Sequence, residues 1–213
     1  MATVLSPPEQ RTLLRDISWE TYQSLLSDRQ EKNTPRFTYF QGLLEIMSPL
    51  SEHEKITRLI GSIVTFWGHE LGIDIVDFGS TTFQRVDLAS GFEPDACFYA
   101  QSLGRINDQD KIDLSKDPPP DLVVEIDITN SSLNNLPLFA QIGILEVWRY
   151  TNRMTIFKLE CGSYLEINES LTLPGLTAVL ITEFIKRDKS GKRIDVLNLI
   201  HERARNVTRN VNR

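Results

Sequence analysis

Cysteine is almost missing from this sequence. Cys97 and Cys161 stand alone, so neither a disulfide framework nor a cysteine-based zinc site is available. No apolar run reaches the roughly 18 residues of a membrane-spanning helix. The first ten residues have neither the basic start nor the apolar stretch of a secretion signal. The expected setting is therefore cytoplasmic, with no membrane partner. No internal repeat or low-complexity segment is present. Positive charge is also short, with 23 Lys and Arg against 29 Asp and Glu, a net charge of -6. The deficit is uneven. Residues 186–213 carry nine basic and three acidic side chains, which leaves -12 on residues 1–185. Such a basic end can contact phosphates or another subunit, although an Arg-rich terminus is more often a solvated helix.

What is present suits one soluble globular domain. A chain of 213 residues, 40% of them hydrophobic, can bury a core without staples. The expected organisation is an arm and short helix over 1–30, a main domain over 31–187 and a basic helical tail over 188–213. Apolar spacing predicts a short helix over 16–26, then a hairpin over 37–47 turning at Gln41-Gly42. Ser51 and Glu54 have the spacing of a capping box. Ile56, Leu59, Ile60, Ile63, Val64 and Trp67 then recur with helical period up to Gly72. Strands are expected at 73–78, 82–86 and 95–99. Residues 122–128 read as a central strand buried on both faces. A short helix over 136–141 should carry Pro137 in its first turn and stop at Gly143. A meander over 146–150, 155–159 and 164–167 precedes helices at 177–187 and 194–205.

Two acids are out of place in this pattern. Glu125 and Asp127 lie inside the most apolar strand, two residues apart, so both point to one face. Paired carboxylates in a low-dielectric place repel, and a cation, a proton or a hydrogen-bond donor must offset the cost. Asp95, after Pro94, adds a third carboxylate on a strand that can return beside the first. Three such oxygens could hold a hard cation such as Mg²⁺. Alternatively, Arg85 or Arg149 neutralises them and no cation is needed. The aromatics Phe92, Phe139 and Trp148 read as core.

The arrangement resembles the PD-(D/E)XK nucleases. Pro94-Asp95 and Glu125-Ile126-Asp127 stand where that pattern has its Asp and its Glu-x-Lys. The surrounding text is similar to the Uma2 (DUF820) family: Tyr39 to Pro49 followed by His53, Pro120 to Ile126 followed by Ser131-Ser132, and Phe139 to Trp148, in the family's order. The resemblance implies an α/β (α+β) restriction-endonuclease-like core, a mixed central sheet flanked by helices, with an N-terminal hairpin and helix and a C-terminal helical tail. It also implies a Mg²⁺ (or Mn²⁺) site made by Asp95, Glu125 and the backbone carbonyl of Ile126. Asp95, Glu125, Asp127 and Glu45 are then the catalytic candidates, DNA is the substrate, and a homodimer would cut two strands. A His at a helix start is ordinarily exposed, so His53 is expected at the surface, with a place near the site as the alternative.

The sequence departs from the pattern at the lysine. Asp127 takes the third position of Glu-x-Lys, and Asn135, preceded by Asn134, takes the position at the next helix start where many relatives carry it. Lys111, Lys116 and Lys158 are the candidates to bring an ammonium from elsewhere. The expected function is a metal-dependent endonuclease. The alternative is a catalytically impaired nuclease fold that serves as a binding or assembly module.

Overall fold

The computed structural model describes residues 10–30, 32, 34–106, 112–128 and 134–211. Lys111, Ser131-Ser132 and the arm before Gln10 lie outside them. In chain order come β1 (Gln10–Leu14), α1 (Trp19–Arg29), β2 (Arg36–Phe40), β3 (Leu43–Ser48), α2 (Ser51–Leu71), β4 (Val76–Asp77), β5 (Phe83–Arg85), β6 (Ser90–Phe92) and β7 (Ala96–Tyr99). Then follow β8 (Leu122–Ile126), α3 (Leu136–Ile142), β9 (Glu146–Tyr150), β10 (Met154–Glu160), β11 (Ser163–Ile167), α4 (Ala178–Ser190) and α5 (Arg193–Val211). The strands form two sheets, ordered β1-β3-β2-β6-β5 and β11-β10-β9-β8-β7-β4. The pairs are antiparallel except β8 with β9, which run parallel across the α3 crossover.

The period-two alternation of a strand divides the larger sheet into two buried faces. Leu122, Val124 and Ile126 face one core with Ala96, Phe98, Trp148 and Tyr150, covered by α2, α4 and α5. Val123 faces the other core with Cys97, Tyr99 and Val147, covered by α3 and by Phe83 and Phe92 from the smaller sheet. Residues 95, 125 and 127 share the parity of the second face. The three acids therefore continue the line of side chains that points toward the smaller sheet. A third apolar cluster, Tyr22 with Phe37, Tyr39 and Leu44, fastens α1 to that sheet. Phe92, Phe139 and Trp148 are core, as their sequence context predicts.

Several boundaries differ from expectation for identifiable reasons. The hairpin turn is as expected: Gln41 and Gly42 both have positive φ, as a two-residue turn matching strand twist requires. The capping box does not form. Leu50 is the N-cap, and its apolar side chain can make no cap bond; Glu54 bonds Arg36. Gly72 does end α2, in the left-handed conformation. The segments around Gly79-Ser80 are shorter than expected and belong to different sheets, so that turn passes the chain from one sheet to the other. The C-terminal basic stretch is no loose tail. Val196, Ile200 and Ala204 of α5 are buried in the first core, and Arg205 and His201 both bond Glu70. Among the described residues no helix is long and apolar enough to cross a membrane.

Candidate active site

The carboxylates gather where the C-terminal end of β8 meets the smaller sheet. Asp95 and Glu125, the ends of antiparallel neighbours, line a cavity of about 10 Å³ together with Arg11, Arg36, Thr38, Glu45, Met47, Glu93 and Asn135. That volume accommodates roughly one water-sized guest. A wider groove of about 700 Å³ starts at the same Asp95 and Arg36. It runs along α2 past Thr57, Arg58, Ser62 and Thr65 to Asp77 and Gly79.

The acids divide among several partners, with Arg11 shared by two of them. Asp95 is buried. Its Oδ1 accepts a short bond from Arg36 Nη1, its Oδ2 accepts from the Ile126 N–H at 2.6 Å, and His53 Nε2 lies 3.1 Å from that same oxygen. Asp127 sits one residue past β8, with Arg11 Nη2 at 3.1 Å and Arg149 Nε at 3.7 Å. Glu45 on β3 accepts from Arg11 Nη1 at 3.1 Å. Glu125 accepts from Asn135 Nδ2 at 3.0 Å. Burial pushes the Glu125 carboxyl well above the ordinary range, and the charges of Asp95 and Asp127 push it further; Asn135 and Arg11 oppose the rise. Burial also raises Asp127, against the pull of Arg11 and Arg149. Glu125 is the acid whose ionised form is least supported, for the reason that paired buried carboxylates always face.

A second polar group is unsatisfied there. The Asn135 side chain is buried at 5% exposure, and its Oδ1 has no hydrogen-bond partner among the described residues. An orphaned buried acceptor costs about 1–3 kcal/mol. Beside it stands a carboxylate that resists its own charge. A cation bound by oxygen donors would relieve both faults, and a proton on Glu125 would relieve that of the carboxylate alone. Asp95, Glu125 and Asn135 Oδ1 are the groups that would hold the cation. No cluster of three or more His, Cys, Asp and Glu side chains is arranged for a metal among the described residues. The Ile126 carbonyl already receives Arg11 Nη2 at 3.5 Å.

His53 corrects the expectation of a surface residue: it is fully buried, because α2 begins directly under Asp95. Arg85 pairs with exposed Asp87, not with the cluster. Lys116 pairs with Asp113 and Lys158 with Glu160, so neither supplies a cation to this site. Arg149, one of the two expected arginines, does stand by Asp127; the other charges that reach the site, Arg11 and Arg36, were not among the candidates. Each lies on a strand remote in sequence from its acid, and only the hairpin pattern hinted that β2 and β3 face the site.

The comparisons agree with this architecture. A solved structure titled "Crystal structure of a putative nuclease belonging to DUF820 from Anabaena variabilis ATCC 29413" shares the fold. The TM-score is 0.53 and the identity 13%, covering 79% of this chain and 99% of that one. A search of curated proteins finds no match. The family model described as "Uma2: Putative restriction endonuclease" matches residues 19–184, from α1 into α4, and by that match the chain belongs to the Uma2 family.

Proposed function

We propose that this protein is a metal-dependent endonuclease that hydrolyses DNA phosphodiester bonds at the Asp95–Glu125 cluster. The observation that carries the reading is Glu125, a carboxylate at the end of the central strand whose charge is disfavoured beside an unsatisfied Asn135 oxygen. Asp95, Glu125 and Asn135 would hold Mg²⁺ or Mn²⁺, with the Ile126 carbonyl close by; such an ion lowers the pKa of a water and offsets charge on the phosphate. The chain's own part is placement. The Ile126 N–H and Arg36 fix Asp95, Asn135 turns Glu125 toward the cavity, and His53 closes the site from the α2 side. In the reaction a water oxygen bonds to phosphorus in line with the departing sugar oxygen. The P–O bond to that oxygen breaks, and the departing oxygen takes a proton. The hydroxyl-lined groove from Asp95 along α2 offers a path for one strand. Two copies would pair to cut both strands of a duplex.

Calorimetric titration of Mg²⁺ and Mn²⁺, followed by cleavage assays on plasmid and single-stranded DNA, tests this. Saturable binding and cleavage, both lost in Asp95→Ala and Glu125→Ala, support it; metal binding without cleavage of any nucleic acid rejects it. A second reading is a non-catalytic binding module. The ion pairs of Arg36 with Asp95 and of Arg11 with Asp127 favour it, since they give two of the three acids a counter-charge of their own.

A further inference from the structure

Arg11 reaches the cluster from the edge of the other sheet. Its strand β1 pairs with β3, Arg11 opposite Met47. The guanidinium lies against acceptors from both sheets: Glu45 Oε1 at 3.1 Å, Asp127 Oδ1 at 3.1 Å and the Ile126 carbonyl at 3.5 Å. The side chain is 9% exposed. It lines the same small cavity as Asp95, Glu125 and Asn135. Neutralising Asp127 does not explain it, because Arg149 on the adjacent strand already stands by the other oxygen of that acid. Two carboxylates on different sheets hold one guanidinium beside Glu125, and a planar fork fixed in this way is suited to phosphate.

Phosphodiester hydrolysis places negative charge on the non-bridging oxygens, and a pre-positioned positive group there lowers the barrier. Lys116 and Lys158 are committed to surface acids. Arg36 bonds Asp95, an acid of the set that would hold the metal, and Glu54, whereas the two acids that hold Arg11 lie outside that set. We infer that Arg11 is the phosphate-contacting cation of this site, with Asp127 and Glu45 as its positioning residues. The charge that a lysine at position 127 would bring is thus delivered in trans from β1, by an acid that recruits an arginine. β1 lies before the residues matched by the family model, 19–184. The inference rests on the nuclease reading, but one readout is independent of turnover.

The test compares the full chain with Arg11→Gln, Arg11→Lys and the double variant Arg11→Gln/Asp127→Lys, each checked for folding by thermal melting. Cleavage of a labelled oligonucleotide duplex is measured in Mg²⁺, and binding of the same duplex by fluorescence anisotropy in Ca²⁺. Arg11→Gln should lose about 100-fold in kcat, while KM rises and duplex affinity falls together by no more than about fivefold. Arg11→Lys should keep activity within about tenfold of the starting protein. The double variant should recover at least about tenfold of the lost rate, because the ammonium now stands on β8 itself. A folded Arg11→Gln that cleaves and binds like the starting protein overturns the assignment, as does a folded double variant no better than Arg11→Gln. If the starting protein binds metal but cleaves nothing, the nuclease reading fails; the anisotropy series then decides Arg11, and unchanged affinity in Arg11→Gln sinks it.

Discussion

Two glutamates on adjacent parallel strands, Glu146 buried and Glu125 half-buried, show how the fold treats an acid it uses for structure and one it leaves for chemistry. Glu146 opens β9 with no exposed surface. It accepts from Trp148 Nε1 at 2.6 Å, from the Leu171 and Thr172 N–H groups at 3.1 and 2.8 Å, and from Thr172 Oγ1 at 2.8 Å. Every donor is protein, and the carboxylate ties β9 to the loop before α4. Glu125 closes β8 at the opposite end. It has Asn135 for a donor and two other acids for neighbours. The difference lies in what remains unsatisfied. A carboxylate wrapped by four donors has nothing left to bind, whereas one that resists ionisation beside an orphaned amide oxygen still calls for a cation.

The contrast can be broken by substitution. The largest expected effect is on turnover: Asp95→Asn and Glu125→Gln should each reduce metal-dependent cleavage by about 1000-fold or more, read in a plasmid nicking assay, while Glu146→Gln should leave the rate of the surviving folded protein within about threefold. Next in size is stability. Glu146→Ala strands four donors and should cost about 3–4 kcal/mol, a fall in Tm of about 10 °C by calorimetry. An equal fall in Glu125→Ala would erase the distinction.

The third effect has the opposite sign. Because the folded state raises the Glu125 pKa, its contribution to stability is fully present below the unfolded carboxylate value and is lost as pH rises through the folded one. Glu125→Gln should therefore raise Tm at pH 7–8 in EDTA, by about 2–4 °C, with the gain shrinking toward pH 4. A loss of Tm at neutral pH would mean that Glu125 is as well satisfied as Glu146. The smallest effect is at the groove. Arg58 is exposed on its wall, and Arg58→Ala should weaken duplex binding about two- to threefold, with a shallower salt dependence, whereas Lys158→Ala, paired with Glu160 away from the groove, should change neither.

Position also separates the site from the basic C-terminus. Glu70, which receives Arg205 and His201, is at the other end of α2 from His53, about 25 Å away at 1.5 Å per residue. α5 buries its apolar stripe in the core on the other side of the larger sheet. The positive charge of α5 is carried on a packed helix at a distance from the carboxylates, whereas Lys189 of α4 reaches Glu52, next to His53.

The amino-acid order by itself determined most of the elements and the acids, but not β1 or β6. Helical spacing marked α2 and alternation marked the closing meander, because burial of one face imposes those repeats, while a continuous apolar run marked β8, buried on both faces. Strand parity put Glu125 and Asp127 on one face, since a strand allows nothing else. Only the tertiary structure decided who answers them. Arg11, Arg36 and His53 lie tens of residues from the acids in the chain, and no local pattern records which edge strand or helix start will be folded against them. It likewise turned Glu54 from an expected cap into a partner of Arg36, because Leu50 rather than Ser51 is the N-cap and the arginine is already held in place by Asp95.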